Sequence, residues 1–228
     1  MKRSKSSRRW LADHEDDEYV KRARAEGYRS RASYKLLEID DKYHILRAGA
    51  LVVDLGAAPG GWSQIAVKRA GSEGKVIALD ILEMAPIQGV EIIQADFTED
   101  SSLEDLLELT GESRVDLVIS DMAPNLSGMK DIDQPRSMYL VELAYDFASR
   151  VLRRNGALLV KCFEGEGMEA TRQLFRGGFD SVSNFKPRAS RAASRELYLL
   201  GRGFKGRQGS EIRSRRMGPA QTQRRNVW

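Results

Sequence analysis

The sequence predicts an α/β fold: a mainly parallel sheet of seven strands, the last antiparallel, with helices on both faces. Three features carry this. Short runs rich in Val, Ile and Leu alternate with stretches of helical spacing, which is the pattern of a parallel sheet buried on both sides. The runs number seven, and the last two, after Phe179, follow one another with no helix-length stretch between them.

The elements come in order. Ala50 to Asp54 is a short apolar run that stops at a glycine turn, and Lys75 to Asp80 is a second that again closes on Asp. Val90 to Asp96, Val115 to Asp121 and Gly156 to Lys161 are the third, fourth and fifth, and Ser181 to Lys186 and Glu196 to Leu200 complete the set. Helical spacing marks Ala32 to Asp41, Trp62 to Ala70, Leu103 to Leu109, Ser137 to Leu152 and Met168 to Phe175. A chain of 228 residues suits one catalytic domain with short extensions, and a hydrophobic fraction of 41% is ordinary for a globular protein.

Charge divides the chain into three parts. Residues 1–35 carry a net +5, residues 36–201 a net −8 and residues 202–228 a net +7. An acidic body with basic ends points to a polyanionic partner gripped from the ends. The expected organisation is a basic nucleic-acid-binding extension over residues 1–31, a catalytic domain over 32–201 and a basic flexible tail over 202–228. No apolar run approaches the roughly 20 residues of a membrane helix, so no membrane partner is expected. Cys162 is the only cysteine, which excludes an internal disulfide and Cys-rich zinc sites, and His14 and His44 form no metal pattern. No metal site is expected, and a cytoplasmic location is the default.

In a parallel sheet, ligands bind outside the carboxyl ends of the strands. Here those ends carry Asp54, Asp80, Asp96, Asp121 and Lys161. The loop Asp54-Leu55-Gly56-Ala57-Ala58-Pro59-Gly60-Gly61-Trp62-Ser63 follows the first strand and opens a helix. It is not the dinucleotide fingerprint, because Ala58 stands where the second glycine belongs, and no Lys-Ser/Thr pair makes it a P-loop. Pro59 removes an amide donor, which suits a ligand without a pyrophosphate. Asp80 is placed to accept from ribose hydroxyls, and Asp96 to accept from an adenine amino group. These features suit an adenosine without phosphates, as in S-adenosylmethionine, with Gly60, Trp62, Asp80, Asp96 and Asp121 expected around it.

Several blocks together resemble the FtsJ family of RNA 2′-O-methyltransferases. They are Tyr28 to Leu36, Asp54 to Gln64, Ser120 to Asn125, Leu159 to Phe163 and Ser194 to Tyr198, in the family's order over about residues 1–205. The resemblance implies a Rossmann-like S-adenosylmethionine-dependent methyltransferase fold and transfer of a methyl group to a uridine ribose 2′-hydroxyl of large-subunit rRNA. The partner it implies is rRNA, within the large ribosomal subunit, approached by a monomer. It also implies a catalytic Lys-Asp-Lys-Glu set, falling on Lys35, Asp121, Lys161 and Glu196.

The chemistry accounts for those residue types. A ribose hydroxyl must lose its proton as it attacks the methyl carbon, so a base must lie within hydrogen-bond reach. Lys161 is the base the resemblance prefers. Burial and Lys35 favour its neutral amine while Asp121 and Glu196 favour the ammonium, and the sequence leaves that balance open. Arg29 and Arg31 with Tyr28 and Tyr34, and Lys186, Arg188, Arg191 and Arg195 near Glu196, are the expected RNA contacts. Three alternatives have different signatures. A 2′-O-methyltransferase of tRNA or an mRNA cap would share the site. A nonenzymatic RNA-binding ribosome-assembly factor would not need the Lys-Asp-Lys-Glu set. A nicotinamide-dependent oxidoreductase would need the dinucleotide loop that is missing here.

Overall fold

The computed structural model describes residues 17–206, except 111–113, 125–126 and 192–193. The N-terminal half of the expected extension, Asn125 of the fourth motif block and residues 207–228 of the basic tail lie outside the described residues.

Seven strands form one sheet: β1 (Leu51–Leu55), β2 (Lys75–Asp80), β3 (Val90–Gln94), β4 (Val115–Ser120), β5 (Leu152–Phe163), β6 (Phe179–Phe185) and β7 (Glu196–Phe204). Their order across the sheet is β3-β2-β1-β4-β5-β7-β6. β7 runs antiparallel to both its neighbours, and the other described pairings are parallel, as the sequence predicts. Among the described residues the helices are α1 (Glu18–Glu26), α2 (Ala32–Tyr43), α3 (Gly61–Ala70), α4 (Asp100–Thr110), α5 (Lys130–Val151) and α6 (Met168–Gly178). No helix among the described residues is long and apolar enough to cross a membrane.

The strands are apolar on both faces because both faces are covered. Val53, Val118, Leu158, Val160, Leu197 and Leu199 point into one core, with Phe147, Phe175 and Phe179. Val52, Leu117, Ile119, Leu159, Tyr198 and Leu200 point into the other, with Leu36, Ile39, Trp62 and Ile65. Alternate residues of one strand thus feed different cores, the period-two geometry of a strand.

Chain order reverses between β1 and β4, which lie side by side in the sheet. The crevice at such a switch point, beyond the strands' carboxyl ends, is where this architecture binds ligands. Gly56 follows β1 there and Asp121 follows β4.

α1 is a helix the apolar pattern does not reveal, since only Val20 and Ala23 are buried along it. Its ends are specified chemically. Asp17 accepts from the Tyr19 amide at 3.0 Å, and Gly27 closes it in the left-handed conformation. Ala23 packs with Tyr34 and Ala189, so residues 17–31 rest on the body. β7 continues past 201 to Phe204, whose ring meets Phe179 at 5.5 Å.

Phe147 is fully buried and meets Phe97 edge-on at 5.7 Å. Phe147→Ala should lower the free energy of unfolding by about 3–5 kcal/mol, read as a shifted denaturant midpoint at unchanged slope.

Candidate active site

The loop after β1 is built by close approach. A methyl group at Gly56, where φ is +72°, would come within 2.5 Å of Met122 Cγ, so the loops after β1 and β4 touch only because Gly56 has no side chain. Asp80 fastens the loop from below: its Oδ2 accepts from the Ala58 amide at 2.8 Å and its Oδ1 from the Leu82 amide at 2.8 Å. Each oxygen keeps a further lone pair for a ligand. The Arg29 guanidinium clamps the outside, donating to the carbonyls of Pro59 (3.1 Å), Ala85 (2.6 Å) and Pro86 (2.7 Å).

These loops bound a cavity of about 290 Å³, lined by Gly56, Ala58 and Asp80, by Asp96 and Phe97, and by Asp121 and Met122. Asp96 Oδ1 accepts from both the amide and the hydroxyl of Thr98, at 2.8 and 2.7 Å, which aims the carboxylate. Three carboxylates and, among the described residues, no Lys, Arg or His line the cavity. Such a lining favours a cationic ligand and repels phosphate. Two of the residues expected around the ligand stand elsewhere. Gly60 is the cap residue before α3, beside Met84 and Ile87, and the Trp62 side chain is buried between helix and sheet. The indole N–H of Trp62 donates to the Ala32 carbonyl at 2.8 Å, and its ring meets Tyr198 at 5.5 Å.

Asp121 joins the cavity to a second group of side chains. Lys161 Nζ lies 3.1 Å from Asp121 Oδ1 and also donates to the Asp121 backbone carbonyl. The Tyr198 hydroxyl donates to the same Oδ1 at 2.6 Å. Strand register delivers both partners, because Lys161 on β5 stands opposite Tyr198 on β7. Lys35 on α2 pairs with Glu196 Oε1 at 2.7 Å, and the Ser190 hydroxyl donates to that oxygen at 2.8 Å. Lys35 Nζ is 5.8 Å from the Tyr198 ring, which bridges the two pairs. All four residues expected as the catalytic set are therefore neighbours.

The electrostatics follow from the partners. Burial pushes the Asp121 carboxyl up, but Lys161, Lys35 and the Tyr198 hydroxyl outweigh it and hold the group below the usual carboxylate range. Burial, then the charges of Asp121 and Glu196, push the Tyr198 phenol well up, so it stays a neutral donor. The apolar pattern does not mark Tyr198 as functional, although its spacing of two from Glu196 puts both on one face of a strand. Ser190 carries no such signal.

Asp54 is completely buried under the loop. Its Oδ2 accepts from the Ser63 hydroxyl at 2.6 Å, and its Oδ1 has no hydrogen-bond partner. Burial pushes its carboxyl up to about 7, with Ser63 opposing and Asp121 and Asp80 adding to the rise. Cys162 is buried as well and its thiol is pushed up to about 12, which suits packing and not nucleophilic attack.

Part of the expected RNA surface is spent internally. Arg31 pairs with Asp17 and donates to the Ala189 carbonyl, Arg29 clamps the loops, and Tyr34 is buried with Tyr28 edge-on at 5.6 Å. These four hold α1 and the loops to the body. Arg188 and Arg191 remain exposed, and Arg195 donates to the Glu164 carbonyl at 3.3 Å.

The model of the FtsJ-like methyltransferase family matches residues 28–204. The chain is 59% identical over 206 residues to ribosomal RNA large subunit methyltransferase E of Pseudomonas paraeruginosa, covering 90% of this chain and 100% of that protein. It is 56% identical over 206 residues to the protein of the same name from Cellvibrio japonicus, covering 90% and 98%. Among solved structures, a ribosomal RNA methyltransferase from Plasmodium falciparum superposes with a TM-score of 0.71 at 31% identity, covering 79% of this chain and all of that one.

The raised Asp54 carboxyl makes a signed prediction. The folded state keeps a proton that the unfolded chain loses near pH 4, so this stability is present below about pH 4 and lost as pH rises to about 7. The loss amounts to roughly 4 kcal/mol at most. Asp54→Asn should flatten that part of the stability–pH curve relative to the native protein, measured by urea unfolding at a series of pH values.

Proposed function

The chain belongs to the FtsJ-like methyltransferase family, and from that membership we propose that it methylates the 2′-hydroxyl of a uridine ribose in large-subunit (23S) rRNA, using S-adenosylmethionine. The observation that carries this is Asp121, whose carboxylate lines the cofactor cavity and is also the partner of Lys161 and Tyr198. The proposed setting is the large ribosomal particle in the cytoplasm, with the enzyme acting as a monomer.

The residues present fit S-adenosylmethionine. Three carboxylates without a cation suit a sulfonium and an adenosine, and they disfavour the pyrophosphate of a nicotinamide cofactor. Bound there, the cofactor supplies a methyl carbon made electrophilic by its positive sulfur. Asp80, with lone pairs left over from the Ala58 and Leu82 amides, accepts from the ribose hydroxyls. Asp96 offers its free Oδ2 to the adenine amino group. Gly60 and Trp62 set the course of α3 beneath the loop, and any contact they make with cofactor is through the backbone.

Four side chains serve the acceptor. Lys161 is the base that takes the proton from the 2′-hydroxyl as oxygen attacks carbon, and Asp121 holds its side chain in place. Lys35 and Glu196, themselves paired and steadied by Ser190, orient the acceptor ribose. The chain's own contribution is thus positioning, proton removal and exclusion of water from a largely buried cluster.

Large ribosomal particles lacking the modification, incubated with methyl-labelled S-adenosylmethionine and this protein, should acquire label on one uridine ribose. Label on a base, on tRNA, or nowhere would refute the assignment. Lys161→Ala should lower kcat by about 10²–10⁴ with little change in cofactor affinity, and Lys161→Arg should not restore it, since a guanidinium stays protonated. Near-native turnover by Lys161→Arg would make Lys161 a positioning residue. Asp80→Ala should weaken cofactor binding by about 1.5–3 kcal/mol in calorimetry.

A further inference from the structure

Among the described residues, two grooves larger than the cofactor cavity differ in charge. One, of about 510 Å³, lies between α5 and the start of α6 and presents Asp131, Glu142 and Glu166 against Arg195 alone. The other, of about 690 Å³, lies between α1, α2 and the β6–β7 connection. Its lining includes Arg22, Lys42, Lys186 and Arg188 with the rings of Tyr19 and Phe185.

The acids of this second groove are already used. Glu38 accepts from the backbone amides of Arg188 and Ala189, at 2.7 and 2.9 Å, and Asp41 faces Arg69 at 3.8 Å. Lys42 is exposed, and its ammonium lies 4.9 Å from the Phe185 ring and 5.2 Å from Tyr43. Among the described residues no carboxylate pairs with Lys42 or with the guanidinium of Arg188, so both charges are available to an incoming anion. The Glu38 bonds fix the backbone from which Arg188 projects.

The groove also connects physically to the catalytic group. α2 presents Lys35 to Glu196 and Lys42 to the groove. The connection that carries Arg188 carries Ser190, which donates to Glu196. We infer that this groove is the track for the RNA strand flanking the target nucleotide, with phosphates on Lys42 and Arg188 and a base against Phe185. The RNA is single-stranded there, because a cleft of this size takes one backbone with splayed bases, and the combination of cations and rings is the one that grips such a strand. The acidic groove by α5 repels phosphate, so the strand runs along the α1–α2 side.

The inference rests on the methyltransferase reading, and binding can be tested apart from catalysis. Two pairs of substitutions are made, Lys42→Glu with Arg188→Glu and Lys42→Gln with Arg188→Gln, with Glu142→Lys in the acidic groove as a control. Thermal unfolding checks that each is folded. A fluorescent single-stranded RNA oligonucleotide should bind both paired variants more weakly than the native protein by about ten-fold or more, with the salt slope of log Kd reduced by about 1.4 for two lost contacts. On ribosomal particles KM should rise while kcat at saturating RNA and cofactor affinity hold, and Glu142→Lys should lose neither binding nor turnover. Unchanged Kd and KM in both pairs, a fall in kcat instead, or no oligonucleotide binding by the native protein would overturn the track. Native protein that binds RNA through the groove but methylates no particle would overturn the methyltransferase reading alone.

Discussion

A carboxylate placed between a lysine and a phenol, at the edge of a cavity whose charged lining residues, among those described, are all acids, organises this protein. Asp121 accepts from Lys161 and Tyr198 and lines the acidic cavity with the same side chain. It can do so because β4 lies between β1 and β5, while β7 returns antiparallel beside β5. The antiparallel return is what brings Tyr198 and Glu196 back to the edge where the parallel strands end. A parallel seventh strand would deliver its other end there, and the lysine cluster would lose both partners.

The surroundings of this carboxylate are tied together by close contacts and hydrogen bonds. Gly56 lets two loops touch, Asp80 ties the glycine loop to the end of β2, and Arg29 binds three carbonyls on the outside. Buried polar groups this close to one another are costly unless each is satisfied. Asp54, under the glycine loop, is one exception among the described residues, with one oxygen unpartnered and its carboxyl pushed up to about 7. A carboxyl raised that far is only partly ionised near neutral pH, which lessens the repulsion among the acids that remain.

Much of this is legible in the sequence, for identifiable reasons. Apolar runs buried on both faces mark β1, β2, β4 and the middle of β5, and the strand-end acids fall at the switch point because the chain reverses there. The start of β5 is obscured by Arg153, Arg154 and Asn155, and the first turns of α5 by their charges and Pro135. α1 escapes because a nine-residue helix with two buried residues has almost no apolar stripe. Trp62 illustrates a different difficulty. A large ring after a glycine loop reads as a ligand wall, yet its rotation about the helix decides the matter, and here it packs on Tyr198 and caps its N–H on Ala32. Charge counting has the same blind spot: Arg29 and Arg31 add to the basic end of the chain, but both are bonded within the body.

Asp121 as the junction between a cationic cofactor and the lysine cluster is the claim on which the rest depends. Calorimetry with S-adenosylmethionine and with its neutral thioether product, S-adenosylhomocysteine, compares a ligand that carries the sulfonium charge with one that lacks it. If the Asp121 carboxylate faces that charge, Asp121→Asn should weaken binding of S-adenosylmethionine several-fold more than binding of S-adenosylhomocysteine, about 1 kcal/mol in the difference for a partly solvated pair. Equal weakening of both ligands, or of neither, would contradict it.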